Sequence, residues 1–195
     1  MSSSALSRIS KVSKFVRWCL LFVGLLHVIS FMFTLALAEP TADGYRLAME
    51  VGNQTYTVNI TSKDAKSPLG EALAAENFNI LAILGSVDVV FTTVLYYFLF
   101  RLFSLYQRGS IFEDSNIQCF KLVGYSLMAW VVADLLYPVL VVLVIRFTGL
   151  SDVMPLFFGI GSEDLWRLLC GLMISVIGWI MAQARTLQQE QELTI

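Results

Sequence analysis

Charge is what this sequence has least of. Of its 195 residues only 14% are Asp, Glu, Lys or Arg, against 57% hydrophobic. A soluble domain of this length needs more charge to face water, so a water-soluble fold is excluded. Histidine occurs once, as His27. That rules out an H-E-x-x-H zinc motif, and neither a Gly-x-Ser-x-Gly elbow nor a phosphate-binding loop is present. The chain is therefore expected to be no enzyme and to carry no cofactor. Cys19, Cys119 and Cys170 are isolated from one another, which argues against disulfide exchange and thiolate metal sites. Each reads as a small hydrophobe for burial. Basic residues nowhere alternate with aromatics, which speaks against direct nucleic-acid binding.

What is there in quantity is apolar sequence in long blocks, giving a mean hydropathy of +0.72. A hydrocarbon core about 30 Å thick needs roughly 20 apolar residues of helix to cross it. Four blocks qualify: residues 18–38, 78–100, 122–145 and 165–182. The expected fold is an all-α membrane protein, a four-transmembrane-helix bundle forming one integral domain over 1–195. Loops fall at 39–77, 101–121 and 146–164, with a tail at 183–195. One alternative stays open at the first block. Ala36-Leu37-Ala38 fits a signal-cleavage pattern, although the block exceeds the roughly 7–15 residues of a signal core.

Lys and Arg set the orientation. Arg8, Lys11, Lys14, Arg17, Arg101, Arg108, Lys121 and Arg185 lie on the side of the N-terminus, and Arg46, Lys63, Lys66, Arg146 and Arg167 on the other. Eight against five places both termini in the cytoplasm. Two helix starts are also legible: Ser115-Asn116-Ile117-Gln118 as a capping box, and Ser162 as a cap before Glu163 and Asp164.

The 39–77 loop contains a small extracytoplasmic β-hairpin. Tyr45, Leu47, Met49 and Val51 alternate with polar or small residues, as do Tyr56, Val58 and Ile60 after Gly52-Asn53. A two-residue turn then pairs Val51 with Gln54, Met49 with Tyr56, Leu47 with Val58 and Tyr45 with Ile60. Such a hairpin is marginal in water and needs support, either as a cap on the bundle or as a sensor.

Three ionisable groups fall inside the blocks: His27, Asp88 and Asp134. Each is expected near the midplane, where a charge costs at least about 2.5–3.5 kcal/mol and must find a partner. Pro138 removes the helical partner of the Asp134 carbonyl and favours a kink. The pair of acids is either a structural hydrogen-bonded contact or a cation or proton site. On the fourth helix Gly171, Ser175, Gly178 and Ala182 form a stripe of small residues. Such stripes let helices approach closely, here as a surface for homo-oligomers.

The remaining distinctive residues are Arg108-Gly109-Ser110-Ile111-Phe112, followed by Asn116, and the C-terminal Glu190-Gln191-Glu192-Leu193-Thr194-Ile195. A G-x-I-F…N loop after the second helix and an L-x-x-E-x-E-L-T-I end after the fourth resemble the bacterial family catalogued as domain of unknown function 2975. The likeness covers roughly residues 78–195. It implies a multi-pass protein of the bacterial inner membrane, of unassigned chemistry, often encoded beside a small helix-turn-helix regulator. It brings no catalytic residues. By this resemblance the expected function is that of an accessory or regulatory protein that holds a cytosolic partner. Arg108, Gly109, Ile111, Phe112, Asn116, Glu190, Glu192 and Leu193 are the docking candidates, and a purely local role in the turn and helix cap is the other reading. The competing function is a small ion- or proton-linked transporter using the carboxylates; no inverted repeat relates the two halves.

Overall fold

The computed structural model describes residues 3–37, 39–41, 44–51, 54–61, 67–76, 78–109, 113–150 and 159–192. Six helices are among them: α1 (Ser3–Leu37), α2 (Pro68–Ala75), α3 (Ile80–Ile83), α4 (Gly85–Gln107), α5 (Asp114–Phe147) and α6 (Ser162–Glu192). Four stretches, Arg8–Leu37, Ile80–Gln107, Asp114–Phe147 and Ser162–Gln191, are long and apolar enough to cross a membrane. Only 6% to 17% of the most apolar part of each is buried. The apolar side chains therefore point outward, an arrangement that lipid stabilises and water does not.

The helices outrun the apolar blocks. α4 continues to Gln107 and α5 begins at Asp114, so the connection expected over 101–121 shrinks to residues 108–113. α6 likewise runs on to Glu192, through most of the expected tail. A helix outside hydrocarbon needs no all-round apolar surface, and hydropathy alone marks only the part inside. The two caps also shift. The amides of Asn116 and Ile117 both donate to the Glu113 carbonyl, so Ser115 sits inside the first turn and does not cap it. At α6 the amides of Asp164 and Leu165 donate to the Gly161 carbonyl. Asp164 reaches back to accept from the Gly161 amide at 2.8 Å. Gly161 thus takes the cap position expected of Ser162, with both acids in the first turn.

The chain divides into two compact units. The first comprises Met1–Leu26, Phe91–Val131 and Gly161–Ile195. Within it α6 lies antiparallel along α5. A Cβ on Gly171 would stand 2.9 Å from the Gly124 carbonyl oxygen, and one on Gly178 would stand 3.2 Å from the Phe120 Cβ. Phe91 of α4 stacks on Trp130 of α5 with ring centres 6.2 Å apart. The guanidinium of Arg167 lies 4.3 Å from the centre of a Trp130 ring while pairing with Asp164 at 3.2 Å. Ile117, Cys119, Val123, Leu127 and Trp130 form the buried stripe of α5 here.

The second unit comprises His27–Val90 and Val132–Ile160. It holds three strands, β1 (Glu39–Thr41), β2 (Gly44–Val51) and β3 (Gln54–Thr61), in the order β1-β2-β3. β2 and β3 run antiparallel with Val51 opposite Gln54, Met49 opposite Tyr56, Leu47 opposite Val58 and Tyr45 opposite Ile60. Gly52 and Asn53 lie outside the described residues. β1 adds a third strand by pairing Pro40 with Tyr45, at an edge where a residue lacking an N–H is tolerated.

The same unit contains α2, a helix that hydropathy alone does not mark. Ser67 caps it by accepting from the Gly70 amide at 3.0 Å, Pro68 opens it and Glu71 lies in its first turn. Leu69 and Leu73 of α2 are buried together with Ile80, Leu84, Val141, Val142 and Ile145. Asn79 caps α3, accepting from the Ala82 amide at 3.0 Å.

Candidate functional site

One group of polar residues in the first unit lies where α4 ends and α5 begins. α4 ends by tightening: the Arg108 amide donates to the Leu105 carbonyl at 3.0 Å and the Gly109 amide to the Tyr106 carbonyl at 3.1 Å. Gly109 then takes φ +82°, a left-handed conformation that costs glycine nothing. Among the described residues, no atom beyond its chain neighbours lies within 4 Å of where a Cβ would project from it, so there the requirement is one of backbone. Arg108 and Gly109 are both exposed.

The turn is tied from below. Tyr106, on the last turn of α4, is hydrogen-bonded to the side chain of Asn116 on the first turns of α5. Asn116 is fully buried. It is one of the residues expected on a docking surface, and the structure withdraws it from that role. Because α5 starts at Asp114, Asn116 falls on the same inward stripe as Ile117, Cys119 and Val123. Across the helices Arg185 of α6 pairs with Asp114 at 2.6 Å. The Asp114 carboxylate is largely exposed, so this contact is worth at most about 1 kcal/mol and mainly fixes the direction of α6.

Beyond Arg185 the helix continues as polar sequence, with Glu190 exposed and Leu187 58% exposed among it. From Ala182 to Glu192 is ten residues, or about 15 Å of helix past the small-residue stripe. Glu192 closes the helix, while Ile111, Phe112 and Leu193 lie outside the described residues. The docking candidates therefore divide into an exposed group (Arg108, Gly109, Glu190) and a buried strut (Asn116). Tyr106, Asp114 and Arg185 are the residues that sequence reasoning missed as partners. Only the closeness of Tyr106 and Asn116 to the glycine, on either side of it, hinted at their pairing.

The intramembrane polar groups all belong to the second unit. His27, Asp88 and Asp134 are each half-buried, and each takes part in a polar or ring interaction. The turn at Leu84 makes Gly85 the start of α4, so Asp88 lies in its first turn, near the positive end of the helix dipole. Nineteen residues, about 28 Å, separate it from Gln107. His27 lies ten residues from Leu37 and Asp134 thirteen from Phe147, each past the middle of its helix. Pro138 stays within α5, one turn after Asp134.

The small-residue stripe is likewise spent inside the chain. Gly171, Ser175 and Gly178 face α5, with Gly124 against Gly171 and Ser175, and Lys121 against Gly178. A homo-oligomer through Gly171, Ser175, Gly178 and Ala182 would have to displace α5, because the close backbone approach that small residues permit is already taken there. Of the cysteines only Cys119 is buried as expected, since Cys19 and Cys170 lie on exposed helix faces.

The comparisons with known proteins bear on the same stretch of chain. No curated protein and no solved structure matches the sequence significantly. A family model does match, over residues 63–195, which takes in α2 to α6 and every tie around the α4–α5 turn. The chain belongs to this family, described as protein of unknown function DUF2975.

Proposed function

We propose that the chain is an inner-membrane accessory protein, with both termini in the cytoplasm, that docks a soluble partner on the face formed by the α4–α5 turn and the end of α6. The observation that carries this reading is the contrast between a braced base and an open surface. Asn116, Tyr106, Asp114 and Arg185 fix the turn and the direction of α6. Arg108, Gly109, Leu187 and Glu190 stand exposed above them. A rigid base lowers the ordering cost of binding, and Leu187 is an apolar anchor in otherwise polar helix. The strands β1–β3 then belong on the opposite side of the membrane. The partner that the family resemblance points to is a small helix-turn-helix regulator.

The test is a pull-down of the detergent-solubilised full chain from its own cells. Recovery of such a regulator is expected, with loss on Phe112→Ala or on removal of residues 188–195. Recovery undiminished by both changes would sink the docking reading.

A second reading rests on a different observation: His27, Asp88 and Asp134 share one compact unit, and Pro138 frees the Asp134 carbonyl inside α5. Ionisable residues inside membrane spans mark proton or ion pathways. Flux in proteoliposomes that persisted in Asp88→Asn and Asp134→Asn variants would eliminate it.

A further inference from the structure

The N-terminal half of α1 carries Arg8, Lys11, Lys14 and Arg17, and no acid occurs anywhere in α1. Its neighbour α4 has one acid, Asp88, at the far end from Gln107. Yet Arg17 is half-buried against α4. Its guanidinium is hydrogen-bonded to the Gln107 side chain and lies 4.6 Å from the centre of the Phe100 ring. The Ser10 hydroxyl donates to the Gln107 backbone carbonyl at 3.2 Å. Both partners of Arg17 are neutral, so its position is fixed while its charge is left without a counter-ion from either helix.

Ser10, Lys14 and Arg17 fall at i, i+4 and i+7, a single stripe of α1. Lys14 is exposed on it. Farther along the same face Leu21 and Leu25 are exposed, at 47% and 62%, and Trp18, at 65%, borders it. The order along the helix is thus cations, then an interfacial Trp, then apolar surface, which is the profile of a phospholipid from headgroup to acyl chain. A guanidinium has five N–H donors in a planar fork, and two neutral contacts leave several of them for phosphate oxygens.

We propose that this edge of α1, where it packs on α4, is a binding site for an anionic phospholipid. Arg17 and Lys14 hold the headgroup phosphate, and Trp18, Leu21 and Leu25 lie against the acyl chains. The proposal rests on α1 and α4 crossing the membrane but is independent of any docked partner.

The experiment is native mass spectrometry of the full chain, released from micelles that contain equal amounts of phosphatidylglycerol and phosphatidylcholine. Wild type should retain phosphatidylglycerol in preference. Each cation near the headgroup accounts for roughly a 5-fold preference, so Lys14→Gln and Arg17→Gln together should reduce retention by roughly 25-fold. Arg17→Lys should lose part of it, because the fork is gone while the charge remains. Arg108→Gln, which removes one exposed cation elsewhere, should leave the preference intact. Equal retention of the two lipids by wild type would overturn the proposal. So would an equal loss in the Arg108→Gln protein, which would mean diffuse attraction without a site. Displacement of the lipid by inorganic phosphate at the same concentration would overturn the assignment to lipid and leave a free-phosphate site. Failure of the docking pull-down would touch none of these outcomes.

Discussion

Replacing Gly124 by Ala probes the tightest contact in the first unit. A Cβ at position 124 would stand 2.7 Å from the Gly171 carbonyl oxygen and 2.8 Å from the Ser175 amide nitrogen, and would run into the Ser175 hydroxyl. The hydroxyl can rotate away, but the other two atoms are the backbone of α6, so the helix itself must retreat. Restoring ordinary contact requires a shift of roughly 0.5–1 Å, which forfeits a quarter to a half of the dispersion energy along the seam. Overpacking of this kind costs about 1–3 kcal/mol, and alanine returns nearly 1 kcal/mol through its better helix propensity. The expected net loss is about 1–2 kcal/mol. Gly24→Ala is the internal control, since the atoms nearest its Cβ would belong to the Tyr96 side chain, at 3.3 Å and beyond, and a side chain can give. Reversible unfolding in mixed micelles, titrated with a denaturing detergent, measures both. Ser175→Gly should rescue Gly124→Ala only in part, because it removes the hydroxyl and leaves the backbone contacts. Equal stability of the two alanine variants would refute the close packing of α5 on α6.

Two further substitutions separate bracing from binding and test the short helix. Asn116→Ala removes the partner of Tyr106 from a fully buried position, and the same unfolding titration should show a loss of about 1–3 kcal/mol. Leu73→Ala empties a fully buried position in the core that joins α2 to α5 and should cost about 2–5 kcal/mol. A neutral outcome there would mean that α2 does not seat on that core.

The parts of this architecture that were legible in the sequence are those where one physical requirement acts alone. Crossing hydrocarbon demands about 20 apolar residues and little else, so the four long helices stand out. Alternation on either side of Gly52-Asn53 specifies the same residue pairs that β2 and β3 form, because a one-residue slip would invert every side chain. The rest depends on several requirements at once. α2 is eight residues long and owes its stability to burial of Leu69 and Leu73, which no local pattern announces, although Ser67-Pro68 and Glu71 are cap signals in plain view. The start of α5 one residue before the expected capping box turned Asn116 from a surface candidate into a buried strut. The stripe from Gly171 to Ala182 signalled close helix contact but not with which helix, and α5 supplied the answer through Gly124.

Cysteine accessibility tests the central claim, a four-span protein with both termini in the cytoplasm, most directly. In a background with Cys19, Cys119 and Cys170 replaced by alanine, single cysteines are placed at three exposed positions: Thr57 on β3, Arg108 in the α4–α5 turn, and Gln188 near the end of α6. A membrane-impermeant thiol reagent added to intact cells with a permeable outer envelope should label Thr57→Cys alone. Arg108→Cys and Gln188→Cys should react only after the membrane is opened. Labelling of Thr57→Cys and Arg108→Cys on the same side would contradict the account.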